Sequence, residues 1–405
     1  MRYLAVLLFL AAAFPSSAQT FDVEGLLTIR GVYASGRPSW LEGEFGRMDA
    51  GGTAPGSDAT KTFGIAQLGF TWEPSQYVAL HASGVARAEP SSFRGRRAGV
   101  VEAFADLRAF RGGNRLQLRA GQFFLPTSRE NRDALWTSPY TITLSALNSW
   151  IAHEFRPIGA EVEWKHDRLT LAATGFRGND TMGTLLAWRG FAVGNRLTVH
   201  GETVPLPPLF SLDRFFTSQR RDGTQPFGRD LDGRTGFAGR IRWQQPGRAM
   251  LQFAHIDNRG DRGLHHGEYA WRTRFHIVGA ETGSPEGAIL VAEYSWGDTG
   301  MGPLPVFVQA DFLTGYLLAS WRRGNGRLSA RFDIFQMNDR DGSAAESNDE
   351  RGRSWTIAWM HDFGAHLRGA AEFVQVTGRR LAAEQSGFSG DTDGRTMTVE
   401  LRYRF

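Results

Sequence analysis

The chain has 405 residues and no cysteine, with 46 basic against 42 acidic side chains and a formal net charge of +4. An exported fold built from it gains nothing from disulfides, and charges so near balance point away from a polyanion such as nucleic acid. Mean hydropathy is -0.32, and after the amino terminus no apolar run approaches the roughly 20 residues of a spanning helix, which excludes a bundle of membrane helices.

Arg2, the apolar run Leu4–Phe14 and the small residues Ser16, Ser17 and Ala18 make residues 1–18 a secretory signal sequence. From residue 19 onward the pattern is one of alternation, apolar and polar residues exchanging with a period of two, which is the signature of strands. Strands are expected at Val23–Ala34, Thr62–Trp72, Gln76–Ala88, Gly99–Ala109, Arg115–Phe123, Ile158–Lys165, Leu169–Phe176 and Thr235–Gln244. The second half continues with Arg248–Asn258, Ala270–Thr282, Gly287–Trp296, Val306–Arg322, Arg327–Met337, Ser354–Phe363, Leu367–Val376 and Arg395–Phe405. Connections alternate in length. Gly112-Gly113-Asn114 is a tight turn from residues that tolerate positive φ, and Gln245-Pro246-Gly247 and Gly324-Asn325-Gly326 are further short turns. The others are long loops, the longest being 177–234, with room for a further hairpin at Leu185–Val193 and Arg196–Thr203.

About sixteen strands, with every short turn at one end and both chain ends on that side, describe an all-β fold: a closed antiparallel barrel spanning a membrane, lipid outside and water within. Aromatics in apolar phase support it. Trp72, Trp164, Trp243, Phe363 and Phe405 fall at the short-turn end, and Tyr33, Trp271, Trp296 and Trp355 at the long-loop end, as two interfacial girdles.

The final stretch R-T-M-T-V-E-L-R-Y-R-F, Arg395–Phe405, sets Met397, Val399, Leu401, Tyr403 and Phe405 against Thr396, Thr398, Glu400, Arg402 and Arg404. It resembles the closing strand of Gram-negative outer-membrane β-barrels, in which this pattern addresses the chain to the barrel-assembly machinery. The stretch R-L-Q-L-R-A-G-Q-F-F-L-P-T-S-R-E, Arg115–Glu130, is similar to the phosphate-selective porin group, whose corresponding strand leads through G-Q-F and a proline into a constriction loop. That group's lysine-rich eyelet has no counterpart, since the only lysines are Lys61 and Lys165. The porin resemblance implies an outer-membrane location, passive diffusion of small hydrophilic solutes, an inward loop after the fifth strand at 124–156, and assembly as a homotrimer.

The faces opposite the apolar ones carry Arg108, Arg119, Glu161, Glu163, Arg240, Arg242, Arg272, Arg274, Arg331 and Asp333, which are expected to line the pore. So many charges would each need a partner or cost several kcal/mol in a dry interior. Within the loop after the fifth strand, Arg129, Glu130, Arg132 and Asp133 are the constriction candidates: charges of both signs across a narrow gap orient polar solutes. No metal or cofactor is expected. The D-x-D-G segments Asp230–Gly233, Asp339–Gly342 and Asp391–Gly394 lack the spacing of a calcium-binding hand and read as solvated turns, and His265-His266 with Glu268 as an ordinary loop. No nucleophile elbow occurs, since Gly387-Phe388-Ser389-Gly390 lacks the G-x-S-x-G spacing. The expectation is therefore a non-enzymatic channel. A non-conducting barrel acting through its loops is the main alternative, and an outer-membrane hydrolase with His255 the weaker one.

Overall fold

A computed structural model describes residues 19–150, 155–217, 219, 223–303, 307–343 and 346–405. The expected signal sequence at 1–18 lies outside the described residues, as do Ile151 of the constriction loop and the Val306 start of the twelfth strand.

The sixteen expected strands are all present, each with shifted ends. In chain order they are β1 Thr20–Gly36, β2 Ser57–Ser75, β3 Val78–Ala88, β4 Ala98–Arg111, β5 Asn114–Gln122, β6 Ile158–His166, β7 Leu169–Arg177 and β8 Gly236–Gln245. The rest are β9 Ala249–Asp257, β10 Arg272–Gly283, β11 Ala288–Met301, β12 Val308–Arg323, β13 Gly326–Asp339, β14 Glu350–Asp362, β15 Leu367–Arg380 and β16 Asp391–Arg404. Each pairs antiparallel with its neighbours in sequence, and β1 closes the ring on β16 in the register Leu26↔Arg404 to Ser35↔Arg395. Closure leaves no sheet edge unpaired, which is what a strand protein needs inside a bilayer. The β4–β5 connection shows why turn residues matter. Gly112 and Gly113 both have positive φ, 55° and 79°, the requirement of a two-residue turn whose twist matches the strands it joins.

Strand phase sets which residues meet lipid. On β16 Met397, Val399 and Leu401 are exposed on the outside while Glu400 and Arg402 are buried within. On β8 Ile241 and Trp243 face out and Arg240 in. Val101 departs from the expected phase. At the β3–β4 pairing the register slips between Ser83 and Gly84, whose partners are Glu102 and Val100. Val101 is the extra residue of that bulge and turns inward to pack with Val85, Phe124 and Val199.

Among its described residues, the segment 177–234 contributes no additional hairpin to the barrel. Met182–Thr184 and Leu185–Arg189 instead form helical turns that drop into the ring, leaving Met182, Leu185, Leu186 and Trp188 at 0% exposure. They join Trp150, Phe155, Phe191 and Phe227 in an apolar mass that meets Phe275, Phe312, Phe335 and Val376 on the wall. All these wall residues lie in the long-loop halves of their strands, so that end of the ring is filled by folded loops. Trp271, expected in the outer girdle, is also fully buried there, edge-on to Trp188 at 5.2 Å between ring centres.

Candidate permeation site inside the barrel

The loop joining β5 to β6 folds into the ring and is tied to the wall along its length. Near its start, Pro126 O accepts from Arg240 Nη1 at 3.1 Å and from Arg242 Nη2 at 2.6 Å, and Thr127 O accepts from Gln252 at 2.6 Å. Arg129 then turns to the β10–β11 wall, its backbone N–H on Glu293 at 3.0 Å and its guanidinium on Glu281 at 3.0 Å. Arg132 shares Glu281 at 2.7 Å.

The centre of this attachment is Glu130. Its carboxylate accepts from Ser145 Oγ at 2.5 Å, Asn148 Nδ2 at 2.6 Å and Arg331 Nη1 at 2.8 Å, and the Glu130 and Arg331 side chains are both 0% exposed. Arg331 also donates to Asp333 at 3.0 Å and to Thr143 O at 2.6 Å, while Asp333 accepts from the backbone of Ala146 at 3.2 Å. On β15 Glu372 accepts from the Ile142 and Thr143 backbone at 2.6 and 3.0 Å. A buried guanidinium with two carboxylates and further acceptors is a fully satisfied network, and such a network fixes geometry because removing one member leaves the others charged and dry.

Of the candidate residues, then, Arg129, Glu130, Arg331 and Asp333 come together as a latch. Arg132 and Asp133 lie lower, on a cavity of about 530 Å³ at the short-turn end that is also lined by Asp22, Glu24, His81 and Arg404. Asp133 pairs with Arg368 at 2.9 Å. Arg108 pairs with Glu73 at 2.7 Å, Arg119 with Asp106 at 3.1 Å, and Arg240 with Glu163 at 2.9 Å and Glu161 at 3.6 Å, all facing inward. Arg242 faces inward as well, through its bond to Pro126 O.

Arg272 and Arg274 do not face the interior. They project outward in phase with Val278, paired with Asp257 at 3.1 Å and Asp298 at 2.8 Å. The physical reason is the plug. At the long-loop end the inner surface is apolar, so Phe275 and Ile277 turn inward at 2% and 4% exposure, and the arginines between them take the outer rim, where headgroups and water are within reach. His255 faces out too, its Nδ1 3.2 Å from that of His276. His265 turns to Asp261 at 2.9 Å and Glu268 to Thr224 at 2.9 Å, so the histidine loop assembles no shared site.

Above the 530 Å³ cavity two smaller ones follow, of about 40 and 50 Å³. The first shares Leu135 and Trp136 with the cavity below and Arg30, Arg87, Ile142 and Asn195 with the one above. The series runs along the wall of β1–β3 and β16, three strands round the ring from Arg331 on β13, which holds Glu130. Arg30 pairs with Glu400 at 2.6 Å and reaches Asn195 at 2.8 Å; Arg196 pairs with Glu89 and Glu202. A larger hollow of about 690 Å³, lined by Ile241, Leu251, Phe253, Val278, Leu317 and Ile334, faces outward on the lipid side.

A closed sixteen-stranded ring with an apolar outer band, aromatic ends and a loop after the fifth strand folded into the lumen has the fold of the outer-membrane porins, and its surface is that of a protein of the Gram-negative outer membrane. No family model matches the chain, and no curated protein matches its sequence. Solved structures do match. The outer membrane channel DcaP of Acinetobacter baumannii is similar over 97% of this chain and 99% of that one, at 11% identity and a TM-score of 0.58. OmpF of Salmonella typhi, in complex with daunomycin, is similar over 95% and 97%, at 11% identity and 0.55. The anion-selective porin of Comamonas acidovorans is similar over 96% and 100%, at 10% identity and 0.52. At such identities the likeness is one of fold.

Proposed function

We propose that this barrel is a channel for passive diffusion of small hydrophilic solutes, with a path displaced to the β1–β3 and β16 wall. The observation that carries the reading is the run of three cavities sharing lining residues, which rises from the charged end of the ring between the latched loop and that wall. Arg30, Arg87 and Arg196 border the narrow part, each near a carboxylate, so a passing solute meets charges of both signs at short range. Fixed charges flanking a low-dielectric gap raise the local concentration of oppositely charged solutes. Lysines of the kind found in the phosphate-selective group are absent from this path, since neither Lys61, which pairs with Glu42 at 3.0 Å, nor Lys165 lines any of the three cavities, so the reading is general diffusion. Delivery by the barrel-assembly machinery through the β16 strand, and assembly as a trimer, belong to the same reading.

Planar bilayers test it. Folded protein should give discrete ohmic steps. Replacing Arg30 and Arg196 by Gln should move the reversal potential under a salt gradient toward cations, with the permeability ratio changing at least about twofold. Persistent silence of folded protein would favour a barrel that works through its loops, and an unchanged reversal potential would move the path elsewhere in the ring.

A further inference from the structure

The connection between β13 and β14 carries Asp339, Asp341 and Glu346, and one carboxylate oxygen from each lies within 4.8 Å of the other two. Two of the three are organised by the backbone. Asp339 accepts from the N–H of Asp341 at 3.0 Å, of Gly342 at 3.2 Å and of Asn348 at 2.9 Å; Asp341 accepts from Ser343 at 2.8 Å and from Gln309 at 3.1 Å. Glu346 differs. Its residue is 2% exposed, Oε1 accepts from Asn348 Nδ2 at 2.6 Å, and Oε2 has no hydrogen-bond partner among the described residues. The nearby Arg380 guanidinium donates instead to Ala187 O at 2.7 Å. A buried carboxyl oxygen without a hydrogen-bond partner, set among two further carboxylates, is a costly arrangement for a protein to keep.

A turn-forming role explains Asp339 and Asp341, whose oxygens bind backbone N–H groups as in any Asx turn. It does not explain why a third carboxylate is brought in from several residues away, buried, and left with an open oxygen. We infer that Asp339, Asp341 and Glu346 form a calcium site. Calcium takes six to eight oxygens at about 2.3–2.6 Å, so oxygens no more than 4.8 Å apart can all reach one ion, with water completing the shell. Magnesium demands a tighter octahedron and parts with water reluctantly, which a site of two backbone-bound aspartates and one buried glutamate does not offer.

The position gives the site a consequence. Asn348, which orients Glu346, donates to Ala187 O at 3.1 Å, the same carbonyl that Arg380 holds, and Ala187 belongs to the turn Leu185–Arg189 inside the ring. A cation there fastens the β13–β14 connection over the plug.

The test uses full-length protein refolded in detergent without lipopolysaccharide, treated with chelator and titrated with calcium chloride by calorimetry, with thermal unfolding read in parallel. Calcium should bind with a dissociation constant of about 10⁻⁴–10⁻³ M and raise the melting temperature by a few degrees, with magnesium at least tenfold weaker. Glu346→Gln should abolish both effects. Asp391→Asn, at the exposed start of β16, should leave them intact. Should Glu346→Gln fail to fold, Asp341→Asn is read by the same criteria. Absence of calcium binding by the native chain, equal binding of magnesium, or an unchanged calcium response in Glu346→Gln overturns the assignment.

Discussion

The two halves of the lumen are built on opposite principles. Toward the short turns the inward face is charged, and its carboxylates and arginines are matched across strands, as in Asp106 with Arg119 and Glu163 with Arg240. Toward the long loops the same face of the same strands is apolar. On β13 it passes from Arg331 and Asp333 to Phe335 and Met337, and on β15 from Glu372 to Val374 and Val376. One half therefore tolerates water and polar solutes, while the other, away from the cavity beside β1–β3 and β16, is a protein core inside a ring. The latch of Glu130, Arg331 and Asp333 stands at the boundary between them. Strand phase decides only which side a residue faces; what fills that side is decided by the loops.

The comparison is broken most severely at its boundary. Replacing Arg331 with Met strands Glu130 and Asp333 as dry, unpaired acids and should cost about 3–5 kcal/mol, seen as a lowered denaturation midpoint in detergent together with noisier conductance as the loop comes loose. A loss below about 1 kcal/mol would mean that the loop is held chiefly by Pro126, Thr127 and Glu372. Next is the plug. Trp188→Ala empties the contact with Trp271 and Phe216 and should cost about 3 kcal/mol. Unlike the first variant, it should leave the charged half and its ion preference as they were. If reversal potentials shift in Trp188→Ala, the two halves are not separable.

The ring itself was legible because period-two alternation survives wherever one face is apolar and the other polar, as in Arg395–Phe405 or Arg240-Ile241-Arg242. The same reasoning failed where the lumen side is the apolar one. Along β10 the sequence R-T-R-F-H-I offers two phases, and with a wet lumen assumed throughout, the arginines go inside; the structure puts Phe275 and Ile277 there instead. The inward loop was readable from its apolar residues and its place after the fifth strand. Its anchors were not, because Arg331 and Glu281 are far from Glu130 and Arg129 in sequence and carry no local signal. The turns Met182–Thr184 and Leu185–Arg189 are short and uncapped by any side chain, so nothing local distinguishes them from a strand. Burial holds them in shape.

A smaller effect sharpens the contrast through pH. In the filled half Asp180 is 2% exposed, with its Oδ2 on the backbone N–H of Leu231 at 2.5 Å and with Asp232 and Asp230 close by. Burial first, and then these two like charges, push its carboxyl up to about 6. An acid whose native value lies above its unfolded value of about 3.9 holds its proton more firmly when folded. Its contribution is therefore fully present below about pH 4 and is lost as pH rises through 6. The native chain should lose up to about 3 kcal/mol across that window from this group alone. Asp180→Asn, which cannot ionise, should not, so the denaturation midpoints of the two proteins should diverge in the variant's favour between pH 4 and 7. Carboxylates of the charged half face arginines rather than one another, so replacing Glu163 with Gln should produce no gain of that sign. Parallel pH profiles for Asp180→Asn and the native chain would show that Asp230 and Asp232 are kept from Asp180 by water or by a cation, and the filled half would then be less dry at its rim than its apolar core.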